Sequence, residues 1–289
     1  MTADNVSVFR VDHLGRGLHA NHYRPTADLG RVLYLSHGHG EHSGRYDHVA
    51  QYFADAGYHV VTWDHQGHGR SSGKRGTIND WREFVGEMNS IRAAAEVDFA
   101  SGKAVYMWGH SLGGLSLLYY LANNPAADTL RAAVVTSPWL ELAFQPTPLV
   151  VKASAVLSSL APNVTKSNEL DPAWLSRDPG VVSLYRVDPL VHDRISFKLG
   201  ASALHQAANL LASPTEIAVP LLIMHGDADR VTSVEGSRRF SVQASSTSDV
   251  TFRVWPGAYH ELHNEPEKDA VLAYAREWLE TKTAQARHA

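Results

Sequence analysis

One stretch of this chain has the residue types for nucleophilic catalysis. Gly109-His110-Ser111-Leu112-Gly113-Gly114 follows a short apolar run at 104–108 and opens a helical pattern over 113–123. A serine hydroxyl presented at the tip of a sheet needs a sharp strand-to-helix turn with strained backbone angles. Side chains two positions before and two after would collide in that turn, which accounts for Gly109 and Gly113. The helix that starts there points free N–H groups and a positive end at any developing oxyanion. Three fixed positions arise by chance in roughly one chain of this length in ten, so the motif draws its weight from its setting and from the partners it requires.

A serine hydroxyl is a poor nucleophile at neutral pH. A histidine must take its proton, and an acid must orient that histidine. For a serine at a strand-to-helix turn of this kind, the chain order is Ser, then Asp or Glu, then His. A late apolar run leads into His225-Gly226-Asp227-Ala228-Asp229-Arg230, where two aspartates compete. The last apolar run leads through Gly257 to His260, with His263 one helical turn further on. His260 comes first after the glycine turn and is the preferred base; His263 is expected at the surface. Asp64, which precedes Ser111, breaks the order and is expected to fix a loop. The His110 side chain is expected to point away from the site and serve packing.

The loop Ser36-His37-Gly38-His39-Gly40-Glu41-His42 follows an early strand. It can aim a backbone N–H at the oxyanion together with the N–H after the nucleophile, which names His39 and Leu112 as backbone donors. The same residues carry a rival chemistry, because His37, His39 and His42 lie close enough in sequence to bind zinc. That reading leaves the Ser, Asp and His blocks as coincidences. A protein that merely binds a ligand on the same scaffold is a further alternative, and labelling of Ser111 by a fluorophosphonate discriminates it.

These residues need elements to position them. Continuous apolar runs occur at 32–35, 58–63, 104–108, 132–136, 221–224 and 250–254. Such runs suit strands buried on both faces of a parallel sheet. Helical patterns at 46–56, 80–100 and 113–123 lie between them, and repeated βα units imply an α/β architecture with helices on both faces. Runs at 7–11 and 19–23 predict an antiparallel pair at one edge. After Ser137-Pro138 the rhythm stops: 139–215 holds several prolines, no convincing strand and a small, apolar helical stretch at 149–160. The expected organisation is a sheet core at 1–138 and 216–289 with a helical cap at 139–215; a plain long crossover is the alternative.

The chain has 289 residues, 44% hydrophobic and 19% charged, which is enough to bury a large core. Its formal net charge is -4, so nothing draws it to nucleic acid. It has no cysteine, which excludes disulfides, thiolate metal sites and a cysteine nucleophile. The N-terminal sequence lacks a basic start with an apolar run, and no apolar run is long enough for a membrane span. A cytoplasmic protein that needs no cofactor is expected.

Taken together, the blocks 37–46, 64–71, 109–114, 226–230 and 259–263 resemble the monoacylglycerol lipase and lysophospholipase family of serine hydrolases, and Asp188-Pro189-Leu190-Val191 in the cap is similar as well. The resemblance covers about 20–280. It implies the α/β-hydrolase fold, a carboxylic ester substrate, and a triad of Ser111, Asp229 and His260; the choice of Asp229 over Asp227 rests on the resemblance. His39 departs from the family, whose members more often carry a small or apolar residue there. A single-chain acyl ester then needs a dry tunnel, which only the cap is long enough to roof. Leu149, Val151 and Leu157, with Val150, Val156 and Leu160, are the expected roof residues. An ester presented by a membrane or micelle would meet the cap first. A short-chain carboxylesterase, thioesterase or amidase on the same fold is the alternative activity.

Overall fold

The computed structural model describes residues 5–124, 130–144, 154, 156–212 and 216–286. Its main sheet comprises β1 (Val6–His13), β2 (Arg16–Tyr23), β3 (Arg31–Ser36), β4 (Tyr58–Trp63), β5 (Ala104–His110), β6 (Leu130–Thr136), β9 (Leu221–Gly226) and β10 (Val250–Trp255). The spatial order is β1-β2-β4-β3-β5-β6-β9-β10. β1 pairs antiparallel with β2, and β2 antiparallel with β4; every later pairing is parallel. The edge pair and the parallel body are those the apolar runs predict. All six residues of β4 and of β9 are buried, because helices cover both faces.

α1 (Asp47–Asp55) and α7 (Lys268–Ala286) cover one face of the sheet. Their Val49, Phe53, Leu272 and Leu279 pack with Tyr58, Tyr106 and Trp108. On the other face lie α2 (Arg82–Ala95), α3 (Ser111–Asn123), α5 (Phe197–Ala212) and α6 (Val234–Ala244). Met88, Leu115, Leu118, Leu199 and Phe240 join one cluster there with Tyr34, Met107 and Val135. The helical pattern expected over 80–100 is α2 followed by one wider turn at 96–100. β3 has β4 on one side and β5 on the other, so the chain winds off in both directions from it. A crevice opens beyond the strand ends at such a point, and the β3 and β5 loops carry the chemistry-bearing residues there.

The segment between β6 and β9 leaves the sheet. It contains α4 (Pro179–Val187), which Asp178 caps by accepting the Gly180 N–H at 2.8 Å. It also contains a small ribbon absent from the sequence expectation, β7 (Thr165–Ser167) antiparallel to β8 (Arg194–Ser196). Three-residue strands leave too little alternation to read. The helical stretch expected at 149–160 is helical at 154 and 156–160; its other residues lie outside the described residues. Leu199, Ala203, Ala207 and Leu210 of α5 belong to the sheet's own core. One side of this helix therefore packs into the sheet core.

Candidate active site

β5 ends at His110, and Ser111 begins α3 with φ 52°. This left-handed value is a strained position for serine, and the packing around the turn enforces it. A Cβ on Gly109 would lie 2.6 Å from the Gly113 carbonyl oxygen, and one on Gly113 would lie 2.4 Å from the His37 carbonyl oxygen. The glycines thus let the turn close and let the β3 loop lie against it. Gly38 sits beside Ser111: a Cβ there would be 3.2 Å from Ser111 Cβ.

Asp229 lies in the loop after β9 with its carboxylate shut off from solvent. Oδ2 accepts from His260 Nδ1 at 2.7 Å and from Thr232 Oγ1 at 2.9 Å, and lies 3.1 Å from His225 Nε2. Oδ1 accepts the N–H groups of Val231 at 2.7 Å and Thr232 at 3.0 Å. Burial opposes the ionised form, but the His260 and His225 imidazoles outweigh it and hold the carboxyl far below its ordinary range. Burial alone would lower His260; the facing Asp229 carboxylate outweighs it and holds the imidazole above its ordinary value. Its Nδ1 faces Asp229, which leaves Nε2 on the opposite edge of the ring. Ser111 and His260 line the same cavity. Among the described residues no hydrogen bond joins their side chains, a contact that commonly tightens only when substrate binds.

Gly38 is held on both sides. Its N–H donates to Glu41 Oε1 at 2.6 Å, and its carbonyl accepts from His37 Nδ1 at 2.7 Å. The next N–H, that of His39, finds no acceptor among the described residues, nor does that of Leu112 in the first turn of α3. Arg45 bridges Glu41 and Glu261 at 2.7 and 2.5 Å, and Glu41 also accepts from Tyr46 Oη at 2.6 Å. This buried pair of carboxylates around one guanidinium ties the β3 loop to the residue after His260. Burial raises Glu41, while Arg45, overcoming burial, depresses Glu261 to about 2.

The structure corrects several expectations. His263 is fully buried rather than at the surface, because the short turn after His260 folds inward and stacks its ring on Tyr46 at 4.4 Å. His110 does not point away: its ring lies 4.7 Å from that of His260 and lines the cavity, with Nδ1 on Thr136 Oγ1 at 3.1 Å. The zinc reading of His37, His39 and His42 fails on geometry. His37 Nε2 accepts the His65 N–H at 2.9 Å, His42 Nε2 bonds Asp188 at 2.8 Å, and no group among the described residues is arranged to hold a metal ion. Asp64 does fix a loop, accepting from Ser43 N and Oγ at 2.8 and 2.6 Å and from Arg70 N at 2.7 Å. Asp227 accepts the Gly257 N–H at 2.6 Å and does not reach His260.

The cavity holds about 550 Å³. Trp139, Leu142, Phe144, Leu170, Trp174, Phe197 and Leu204 supply apolar wall, and Glu41, Glu261 and Lys166 bring charge to it. Leu157 does not line it; Val156 and Leu160 are 58% and 78% exposed, as their helical turn faces outward. Leu149, Val150 and Val151 lie outside the described residues. Among the described residues, Ser154 of the expected stretch lines the cavity, together with residues of 170–175, β8 and α5. Sequence reasoning also missed His225, Thr232 and Ser137. Ser137 Oγ donates to the His260 carbonyl at 2.8 Å, and Thr232 Oγ1 lies 3.2 Å from the Ser137 carbonyl oxygen. The only signal for any of them is position, since each follows or ends a strand beside the acid loop.

Residues 27–267 match the family described as serine aminopeptidase, S33. The chain is 39% identical to the monoacylglycerol lipase of Mycolicibacterium smegmatis over 89% of its own length and 90% of that protein's. It is 35% identical over 89% of its length to an abhydrolase domain-containing protein of Dictyostelium discoideum, of which it spans 27%. The crystal structure of Paleococcus ferrophilus monoacylglycerol lipase superposes with a TM-score of 0.79 at 34% identity, covering 96% of this chain and 99% of that one. The chain has the α/β-hydrolase fold that these similarities and the sheet order describe.

Proposed function

Since the chain belongs to the serine aminopeptidase S33 family of α/β-hydrolases, we propose that it hydrolyses single-chain acyl esters of the monoacylglycerol or lysophospholipid kind, through an acyl-enzyme on Ser111. It is a carboxylic ester hydrolase, as its monoacylglycerol lipase relatives are named. The observation that carries the reading is the Asp229–His260 contact at 2.7 Å, made in the cavity that the strained Ser111 also lines.

The chemistry follows from that arrangement. Ser111 Oγ attacks the ester carbonyl carbon while His260 Nε2 takes its proton. The carbonyl oxygen becomes an oxyanion that accepts from the N–H groups of His39 and Leu112. Asp229 stabilises the imidazolium without taking its proton. Collapse breaks the bond to the alcohol oxygen, which receives the proton from His260. Water, deprotonated by the same imidazole, then attacks the acyl-enzyme, and a second collapse breaks the bond to Ser111 Oγ, which takes the proton back from His260 as the carboxylic acid leaves.

The apolar wall supports an acyl chain as the buried half of the substrate. Each methylene moved out of water is worth about 0.8 kcal/mol, so kcat/KM is expected to rise about fourfold per methylene until the cavity is full. The exposed Val156, Leu160, Leu184 and Val187 of the cap support transient contact with a micelle or membrane surface. No helix among the described residues is long and apolar enough to cross a membrane. The test is a panel of monoacylglycerols, lysophospholipids and p-nitrophenyl esters of two to sixteen carbons. Rates that are flat in chain length would reduce the reading to a general carboxylesterase, and the absence of fluorophosphonate labelling at Ser111 would remove it.

A further inference from the structure

The buried imidazole of His37 has no part in the chemistry above, yet both of its nitrogens are committed. Nδ1 lies 2.7 Å from the Gly38 carbonyl oxygen, and Nε2 lies 2.9 Å from the His65 backbone nitrogen. A carbonyl can only accept and a backbone N–H can only donate, so these partners fix the tautomer with the proton on Nδ1. A second proton on Nε2 would face the His65 N–H. Burial, followed by the neighbouring His65 imidazole, pushes His37 well below the ordinary histidine range, which keeps it in this one form.

The His65 residue that supplies this N–H is itself anchored. Its Nδ1 is 2.6 Å from Glu87 Oε2 and its Nε2 is 2.9 Å from Ser36 Oγ, all three side chains being buried. Glu87 Oε1 also accepts the Gln66 N–H at 3.0 Å. A chain of hydrogen bonds therefore runs from α2, through the loop after β4, to the carbonyl of Gly38.

A trans peptide is planar, with its C=O and N–H pointing in opposite directions. Whatever fixes the Gly38 carbonyl fixes the His39 N–H. We infer that His37 is a positioning residue for the oxyanion hole: its Nδ1–H grips the Gly38 carbonyl and so aims the His39 N–H at the oxyanion before substrate arrives. The inference rests on the reading that His39 N–H and Ser111 act together. Glu41, accepting the Gly38 N–H, holds the preceding peptide in the same way. Preorganisation of this kind acts on the charge that develops in the transition state and leaves substrate binding unchanged.

The test compares His37→Asn, His37→Gln and His37→Leu with the parent enzyme. Asn carries an N–H near the place of Nδ1; Gln carries its amide near Nε2; Leu carries neither. Loss of a whole oxyanion donor lowers kcat about 10²–10³-fold, and a misaimed donor is expected to cost about 10–100-fold in His37→Leu and His37→Gln. KM should stay within about threefold, and His37→Asn should recover most of the rate. A trifluoromethyl ketone, which forms a tetrahedral oxyanion on Ser111, should weaken by the same factor as kcat, while a non-hydrolysable ether of the same chain binds as before. A packing role would weaken both ligands alike and would not separate Asn from Gln, and either result overturns the inference. If His37→Leu does not fold, the Asn and Gln pair decides. Should the parent enzyme itself fail to take a fluorophosphonate on Ser111, the catalytic reading falls first and this inference with it; labelling with no Asn–Gln difference sinks this inference alone.

Discussion

Beneath the floor of the cavity, behind His260 and Thr232 that line it, the Asp229 carboxylate meets His260, Thr232, His225 and the backbone of Val231 through contacts of 2.7–3.1 Å. At its roof, Leu170, Phe197 and Leu204 meet the cavity through apolar surface alone. Under the proposed chemistry, a displacement of about 1 Å between His260 and a substrate oxygen costs about 10²-fold in rate, which directional contacts at strand ends guard against. Holding a hydrocarbon chain requires excluded water and volume, and many side chains of similar size satisfy it. The two regions should therefore answer differently to substitution: steeply and residue by residue at the floor, gradually and by substrate length at the roof.

The sharpest way to break this contrast is Ser111→Ala. Folding should survive, as judged by near-UV dichroism and melting temperature, with kcat lowered by about 10⁶-fold. His260→Ala should be almost as damaging, and the double variant hardly worse than either, because the two act as a unit. A Ser111→Ala enzyme that keeps a tenth of the parent rate would end the assignment.

Next in size is the pair of aspartates on the β9 loop. Asp229→Asn should lower kcat about 10⁴-fold, since an amide neither fixes the right tautomer of His260 nor balances its charge. Asp227→Asn should cost less than about tenfold, because that carboxylate only receives the Gly257 N–H. Reversed severities would mean that the wrong acid has been chosen.

The roof should give smaller and length-dependent effects. Leu204→Asp puts a carboxylate on the acyl wall and should lower kcat/KM for a laurate ester about 10–100-fold, while an acetate ester changes by less than about threefold. Leu157→Asp, which is off the cavity, should leave laurate within about threefold. Equal losses on both esters at Leu204 would show that the wall does not bind the chain.

The smallest expected effect is a shift on the pH axis. The base must be neutral, and the Asp229 carboxylate holds His260 above its ordinary value of 6.5. Activity should be complete above that raised pKa and fall as pH drops through it, so the acidic limb of kcat/KM is expected above pH 6.5. In Asp229→Asn the burial remains without the opposing charge, and the limb of the residual activity should move to lower pH. A limb that stays in place would separate the two residues functionally.

Much of the floor was legible because its requirements are local. Gly109 and Gly113 follow from steric closure around one serine, and Asp229 and His260 sit at strand ends whose apolar runs are easy to see. The acid was not legible from spacing, since Asp227 and Asp229 stand equally near the strand end and only the family resemblance separated them. His225, Thr232 and Ser137 were missed because each touches the acid or the base through folded loops rather than through a motif. His263 and His110 were misread for the same reason: a histidine near a strand end looks alike in sequence whether the following turn folds in or out.

The roof residues were illegible for a different cause. Helical spacing of small apolar residues near 149–160 predicts an apolar face but does not say what it meets, and Val156 and Leu160 are exposed. Residues from 170–175 and the start of α5 line the cavity beside Ser154, although nothing in their spacing distinguishes them from ordinary packing. The amino-acid sequence by itself determined the order of the main-sheet strands and the strained serine turn, because these depend on backbone sterics and on neighbours in the chain. Only the tertiary structure decided which carboxylate faces His260, which side chains wall the cavity and how the Gly38 carbonyl is held. Those outcomes depend on contacts between residues far apart in sequence, whose directions exist only once the sheet has brought the loops together.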